Sequence, residues 1–268
     1  MSKKYNIKLV ASDLDGTLLQ NGAQKLNSSS IKLITELLNS DIHFVAASGR
    51  QYSNLRDLFK PIADRIDYIC ENGCLVFASG KLIHQETMDS KLAHEVIDTM
   101  LDIPNVEIMV SGVNTSYLLS AHDEFIHHVR DVVGNDVTIV DDLHSIDEPY
   151  FKISLFSGKQ PISPAPLRAK LTSRCKVVTG GNAWIDVMPA DVSKASAMQH
   201  LLEFRHLTAE NIVAFGDEEN DIEMMKFVGL PVAMDNAIPR LKEICKTTTP
   251  SVDDAIKVIL SNNGCMEF

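Results

Sequence analysis

Short apolar runs alternate with segments of helical periodicity in the first part of the chain. The apolar runs predict buried strands at residues 7–11, 42–47 and 68–70. The periodic segments predict helices at residues 31–38 and 51–59. Strand and helix follow each other in an order that is typical of a parallel, doubly wound sheet, which is the α/β fold class that we expect.

The pattern changes near residue 86, where helices and hairpin-like strand pairs become mixed. Helices are predicted at 90–101, 124–133 and 165–172, and strands at 106–110, 116–119, 137–140, 151–156, 175–179 and 184–188. Beyond Pro189 the first pattern returns, with a strand at 212–215 and a helix at 221–227. We therefore expect core residues 1–85, an inserted α+β unit at 86–188, and core residues 189–268.

Composition and charge limit the classes of partner. The 268 residues are 45% hydrophobic and 23% charged, which is typical of a soluble globular protein. The net charge of −11 argues against a nucleic acid or an anionic membrane as the main partner. A small anionic substrate would need a locally positive pocket. No apolar run is long enough for a signal peptide or a membrane span.

Five cysteines form an odd set that contains no Cys-x-x-Cys pair. This pattern indicates neither a disulfide framework nor a zinc site. We expect reduced cysteines in a cytoplasmic protein. The sequence leaves the oligomeric state open.

Two carboxylates follow the first predicted strand, in the segment Asp13-Leu14-Asp15-Gly16-Thr17. Alternate residues of an extended segment point the same way, so the side chains of Asp13 and Asp15 can converge if the strand continues to its tip. Their repulsion can be relieved by a shared proton or by a hard cation such as Mg²⁺. The alternative interpretation is an ordinary Asp-Gly turn with an acid beside it.

A second acidic cluster follows the predicted strand at 212–215 and includes Asp217 and Asp221. Ligands of doubly wound sheets bind outside the carboxyl ends of the strands. Asp13, Asp15, Ser48 and Asp217 would therefore all face one crevice if their strands are neighbours. Alternatively, Asp217 and Asp221 belong to a solvated helix N-terminus, where the helix dipole stabilises acids.

Two further segments can bind an anion. Ser48 and Gly49 precede a predicted helix, where a hydroxyl and backbone N–H groups bind phosphate well, although Ser48 can equally be a simple N-cap. Lys194 begins another predicted helix. It can neutralise an anionic intermediate, or it can pair with an acid in the first turn of its own helix.

Four motifs in this order resemble those of the haloacid dehalogenase superfamily of phosphatases. They are Asp13-x-Asp15-Gly16-Thr17, Ser48-Gly49-Arg50, Lys194 and Gly216-Asp217-x-x-Asn220-Asp221. A closer likeness to its Cof-like branch of sugar-phosphate phosphatases comes from Glu71-Asn72-Gly73, Trp184-Ile185-Asp186 and Met234-x-Asn236-Ala237. The resemblance spans nearly the whole chain. It implies a Rossmann-like core with a large cap inserted after the third core strand.

The resemblance implies a phosphatase that acts on small phosphate monoesters, with sugar phosphates as the default substrates. Asp13 would be the nucleophile that forms an aspartyl-phosphate, and Asp15 the general acid and then base. The expected cofactor is Mg²⁺, held by Asp13, the Asp15 carbonyl group and Asp217 and oriented by Asp221. The expected phosphate-binding residues are Ser48, Gly49, Lys194 and Asn220.

Substrate contacts are harder to place from the sequence. The candidates are Arg50, Asn72, Trp184, Asp186 and the histidines His122, His127 and His128. Pyridoxal phosphate and flavin mononucleotide are alternative substrates by analogy only. A phospho-acceptor signalling domain is the main alternative function, and a phosphomutase or phosphonatase is the alternative within the same superfamily.

Overall fold

The computed structural model describes residues 4–120, 123–158, 160–171, 174–180 and 183–267. The chain divides into two compact units. One combines the residues up to His84 with those from Ser193 onward, and the other spans Gln85–Val192. The divisions expected from the sequence were at 85/86 and 188/189.

Strands and helices follow one another along the described residues. The strands are β1 Lys4–Asn6, β2 Leu9–Ser12, β3 His43–Ala47, β4 Asp67–Cys70, β5 Leu75–Ala78, β6 Lys81–Gln85, β7 Glu107–Gly112, β8 Ser116–Leu119, β9 Val137–Val140, β10 Tyr150–Phe156, β11 Cys175–Gly180, β12 Trp184–Pro189, β13 Ile212–Gly216, β14 Leu230–Met234, β15 Thr248–Thr249 and β16 Cys265–Glu267. The α-helices are α1 Ser28–Asn39, α2 Tyr52–Leu58, α3 Ser90–Leu101, α4 Asp123–His127, α5 Ala165–Leu171, α6 Lys194–Arg205, α7 Ile222–Phe227, α8 Pro239–Cys245 and α9 Val252–Ser261. None of these helices is long and apolar enough to cross a membrane.

An eight-stranded sheet forms the centre of the first unit, in the order β15-β14-β13-β2-β3-β4-β5-β6. The strands from β15 to β4 pair in parallel, and β5 pairs antiparallel to β4. Every residue of β2, β4 and β13 is buried, as expected for strands covered on both faces by helices. The predicted α/β fold with a doubly wound parallel sheet is confirmed.

The second unit has a six-stranded sheet of its own, in the order β11-β12-β10-β7-β8-β9. Its pairs are antiparallel except for β8 and β9, which are parallel. Buried residues of α3, α5 and the sheet, including Val96, Ile153 and Val187, form a hydrophobic core within this unit. The unit therefore has the mixed α+β character that the sequence predicts.

Two local features differ from the predicted elements. The predicted helix at 124–133 is α-helical only as far as His127, and residues 128–133 form a π-helix that ends at Gly134 with φ +85°. The pair β1 and β16 was not predicted. Strands of three residues leave no periodic pattern, and their pairing joins the two ends of the described chain.

Candidate active site

The carboxyl ends of three neighbouring strands bring the predicted site residues together. Strands β13, β2 and β3 are adjacent and parallel, and they are followed by Asp217, Asp13 and Ser48 respectively. The backbone ladder continues past β2, because Asp13 N donates to Phe215 O over 3.0 Å. The expectation that these strands are neighbours is therefore confirmed.

Three carboxylates form a buried cluster at this edge of the sheet. One oxygen each of Asp13, Asp217 and Asp221 lies within 4.8 Å of the others. The three residues are only 6%, 5% and 0% exposed, so Asp217 and Asp221 are not acids of a solvated helix N-terminus. A buried group of like charges is costly unless a cation is present, and oxygen ligands suit a hard divalent ion.

Lys194 supplies one positive charge to this cluster. The side chain is completely buried, and Nζ lies 2.6 Å from Asp13 Oδ1 and 2.7 Å from Asp221 Oδ1. The first turn of α6 contains no acid. The alternative in which Lys194 pairs within its own helix is therefore wrong, and the lysine joins acids from two other segments.

Burial dominates the electrostatics of the acids. It raises the pKa of Asp13 well above its ordinary value, against the attraction of Lys194 and with the repulsion of the other two acids. Burial also raises the pKa of Asp217 to about 6. Burial lowers the pKa of Lys194, but Asp13 and Asp221 raise it by more, so that its pKa exceeds the ordinary value. Lys194 therefore stays charged, whereas Asp13 and Asp217 bind protons more readily than ordinary carboxylates do.

Neutral hydrogen-bond donors fix the orientation of Asp217. Thr17 Oγ1 donates to Oδ1 over 2.6 Å, and Asn236 Nδ2 donates to Oδ2 over 3.1 Å. Asn236 also donates to the carbonyl oxygen of Gly16 over 3.0 Å. Gly16 has φ +87°, and a Cβ atom there would overlap Asp217 Oδ2. This tight packing explains the glycine that follows the first two acids.

Asp221 organises the loop that carries Asp217. Its Oδ2 accepts hydrogen bonds from the backbone N–H groups of Asp217, over 2.9 Å, and Glu218, over 3.1 Å. Its Oδ1 is engaged by Lys194. Asp221 is thus held by an ammonium group and two backbone N–H groups, which fits an orienting role beside a metal ion.

The side chain of Asp15 does not join the buried cluster. Strand β2 ends at Ser12, so the alternation does not continue to Asp15, whose side chain is 56% exposed. It accepts two hydrogen bonds from Arg50, over 2.8 Å from Nε and 2.6 Å from Nη2. Arg50 Nη1 also donates to Asn54 Oδ1 over 3.1 Å. The condition for convergence of the first two carboxylates, an extended strand up to Asp15, is therefore not met.

The predicted phosphate-binding segments lie close to one another. Ser48 is buried, and its Oγ accepts from Arg50 N over 3.2 Å. Asn220 Nδ2 donates to Asn72 Oδ1 over 3.0 Å. A Cβ atom at Gly49 would lie 3.1 Å from the same Asn72 oxygen. Asn72 thus lies between the segments that contain Gly49 and Asn220. The sequence does not indicate this position, because Asn72 follows a different strand, β4.

The remaining substrate candidates belong to the second unit. Trp184 contacts Phe156, with 4.6 Å between ring centroids. Asp186 Oδ1 accepts from Ser154 Oγ over 2.7 Å, and its other oxygen lies 3.4 Å from Lys152 Nζ. Further candidates are His127, which contacts Asp131, His128, which stacks on Phe156, and His122, which lies outside the described residues.

The first unit is a doubly wound α/β core with acidic residues at its strand tips, and comparison with known proteins identifies its family. The chain belongs to the haloacid dehalogenase-like hydrolases, because the sequence profile of that family matches residues 10–259. The membership that the four motifs predict, including the likeness to the Cof-like branch, is confirmed.

Curated relatives and solved structures agree with this membership. YbjI of Escherichia coli (strain K12), a 5-amino-6-(5-phospho-D-ribitylamino)uracil phosphatase, is 30% identical, with 87% of this chain and 86% of that protein covered. YitU of Bacillus subtilis (strain 168), of the same name, is 28% identical, with 92% and 93% covered. The crystal structure of SMU.1108c from Streptococcus mutans UA159 has a TM-score of 0.85 at 25% identity, with 95% and 99% covered. The protein is thus a phosphatase that acts on phosphate monoesters.

Proposed function

We propose that this phosphatase requires Mg²⁺ and hydrolyses small phosphate monoesters through an aspartyl-phosphate on Asp13. The observation that carries the proposal is the buried contact of 2.6 Å between Lys194 Nζ and Asp13 Oδ1, at the centre of an acidic cluster. A lysine in this position holds the carboxylate in one orientation and offsets the charge of an incoming phosphoryl group.

In the first step an oxygen of Asp13 attacks phosphorus in line with the ester bond. The P–O bond to the alcohol breaks, and Asp15 donates its proton to the departing oxygen. In the second step water attacks the phosphoryl group, Asp15 accepts the proton from the water, and the bond to Asp13 breaks. The position of Asp15 supports this role, because its carboxylate is 56% exposed and accessible to a substrate, while the buried Arg50 holds it in place with two hydrogen bonds.

The buried acids supply suitable ligands for the metal ion. We place Mg²⁺ at Asp13, the carbonyl group of Asp15 and Asp217, with Asp221 orienting the loop. The buried cluster supports a bound cation, because Lys194 alone balances the charge of Asp13, Asp217 and Asp221. When bound, Mg²⁺ offsets the negative charge of the phosphoryl oxygens.

The protein can hold the phosphoryl oxygens with several donors. These are the Ser48 hydroxyl, the Gly49 N–H, the Lys194 ammonium and the Asn220 amide. Together with the proposed Mg²⁺ they would offset the charge of an anionic substrate, although the net charge of the protein is −11.

For the rest of the substrate we propose a polyhydroxylated or sugar-like group. The relatives YbjI and YitU are 5-amino-6-(5-phospho-D-ribitylamino)uracil phosphatases, which makes that ester the first compound to test. Arg50, Trp184 and Asp186 remain the candidate contacts, whereas Asn72 is buried and accepts a hydrogen bond from Asn220. The cysteines are free, which supports a reducing cytoplasmic location.

The test is phosphate release from a panel of phosphorylated metabolites, with Mg²⁺ or with EDTA. We expect release that depends on Mg²⁺ and is lost in Asp13→Asn, with the folding of the variant confirmed by thermal unfolding. The panel includes sugar phosphates, pyridoxal phosphate, flavin mononucleotide and the ribitylaminouracil ester. Absence of release from every monoester by folded wild-type protein would refute the proposal.

A further inference from the structure

The turn Glu71-Asn72-Gly73 has an unusual backbone. Its φ angles are +49°, +56° and +115°, so three consecutive residues are left-handed. Of the residues that the structure describes, no other two adjacent non-glycine residues share this conformation. Glutamate rarely adopts it, and such strain persists only where the surroundings hold it, which is commonly at functional sites.

Hydrogen bonds hold this turn against the end of β3. Glu71 N donates to Arg50 O over 3.1 Å, and Asn72 N donates to Ser48 O over 3.0 Å. The turn also packs closely on the segment before Lys194, because a Cβ atom at Gly73 would overlap the carbonyl oxygen of Ser193. It therefore contacts two of the proposed phosphate-binding segments through its backbone.

The side chain of Asn72 reaches a third such segment. Its Oδ1 accepts one of the two amide hydrogens of Asn220, over 3.0 Å, and lies against Gly49. Asn72 is only 1% exposed, so water cannot replace this bond easily. The bond fixes the plane of the Asn220 amide and so fixes the direction of its second N–H.

We propose that Asn72 is a positioning residue for phosphate, which acts through Asn220 rather than by contacting the ester itself. This inference rests on the proposed function, since Asn220 must bind phosphoryl oxygens for its orientation to matter. The left-handed turn is the device that brings Asn72 between Gly49 and Asn220. The required backbone conformation is the reason for an Asn-Gly pair at this position.

The test begins with Asn72→Gly, which removes the side chain and keeps the left-handed conformation. Asn263→Gly is the matched control, because Asn263 also has positive φ, at +50°, but is exposed. We expect Asn72→Gly to lower kcat/KM for the best ester and the affinity for inorganic phosphate by about tenfold or more, with Asn263→Gly within about twofold of wild type.

A double-mutant cycle with Asn220→Ala separates positioning from general damage. If Asn72 acts through Asn220, the double variant is no worse than Asn220→Ala alone. Asn72→Asp keeps the acceptor oxygen. If this oxygen orients the Asn220 amide, the kcat of Asn72→Asp should be higher than that of Asn72→Gly. The inference would be overturned if the two substitutions acted independently, so that their losses of kcat/KM multiplied in the double variant. It would also be overturned if Asn72→Gly matched the wild type.

Phosphate affinity, measured by calorimetry, keeps the two proposals distinct. If the wild-type protein binds inorganic phosphate but hydrolyses no ester, the proposed function is refuted. The double-mutant cycle would then be measured by phosphate affinity instead of kcat/KM. Wild-type protein that does neither would overturn both. If the wild-type protein is active but the effects of Asn72→Gly and Asn220→Ala are independent of each other, only the role of Asn72 would be overturned.

Discussion

Thr17 donates its hydroxyl hydrogen to Oδ1 of Asp217 over 2.6 Å, although the two residues are 200 positions apart in the chain. This contact joins the turn after β2 to the loop after β13. Because Asp217 is a proposed Mg²⁺ ligand, the hydroxyl group of Thr17 orients the ligand from outside the metal site.

We expect Thr17→Val to weaken Mg²⁺ binding by about 10–100-fold, because the carboxylate loses a donor that fixes its orientation. The free energy of unfolding should fall by about 1.5–3 kcal/mol, which is typical of a hydrogen bond to a charged group. Thr17→Ser should restore most of both. Thr35→Val is the control, since that hydroxyl donates only to the Ile31 carbonyl oxygen of α1. Magnesium titration by calorimetry measures the effect, and unchanged affinity in Thr17→Val would contradict it.

Replacing Lys194 by Met should abolish most activity and also destabilise the protein. The substitution leaves two buried carboxylates without their cation, which costs about 3–5 kcal/mol. We expect kcat to fall by about 100-fold or more, as for loss of a group that stabilises developing charge. Lys257→Met provides the control, because Lys257 and its partner Asp254 are about 60% exposed. Activity within about tenfold of wild type would argue against the proposed role of Lys194.

Protons and Mg²⁺ should compete for Asp217. Its folded-state pKa of about 6 lies above the ordinary value of 3.8, so the metal-free folded protein binds more protons than the unfolded chain between these values. This group therefore makes the metal-free protein less stable as the pH rises through about 6. Magnesium needs the ionised carboxylate, so the rise in Tm on adding Mg²⁺ should be small near about pH 5 and large near about pH 8. Equal shifts at both would contradict this competition, and Asp217→Asn should remove the shift.

A second ion pair should affect stability without affecting catalysis. Arg205 donates to the buried Asp67 in a two-fold contact, over 3.0 Å from Nε and 2.5 Å from Nη2. Arg205→Met leaves a buried charge unpaired, and we expect a loss of about 3–5 kcal/mol in urea unfolding. Arg56→Met, which breaks a pair with the exposed Asp64, should cost less than about 1 kcal/mol. The value of kcat/KM should be unchanged in both variants, and an equal loss of stability in both would count against the burial argument.

The sequence predicts the fold and the centre of the site because both depend on local patterns. Apolar runs locate β2, β3 and β13, and the small or acidic residues that follow them mark the tips. The rule that ligands bind at the carboxyl ends of parallel strands then joins Asp13, Ser48 and Asp217 without any coordinates.

The parts that could not be predicted depend on contacts between distant segments or on where a strand stops. Strand β2 ends one residue before Asp13, which turns Asp15 toward Arg50. The packing of Asn72 against Gly49 and Asn220 results from a left-handed turn that single-residue preferences disfavour. Neither fact leaves a periodic signal in the sequence.

The order of strands in the central sheet also has a consequence for synthesis on the ribosome. Strand β2 is synthesised before the second unit, but its neighbour β13 is synthesised only after the whole of that unit. Until then one edge of a fully buried strand has no partner, and such an edge is prone to aggregate. All strands of the second unit's sheet lie within residues 107–189, so they are synthesised before β13. A nascent chain stalled before β13 therefore carries an incomplete core, and chaperone binding should concentrate on β2.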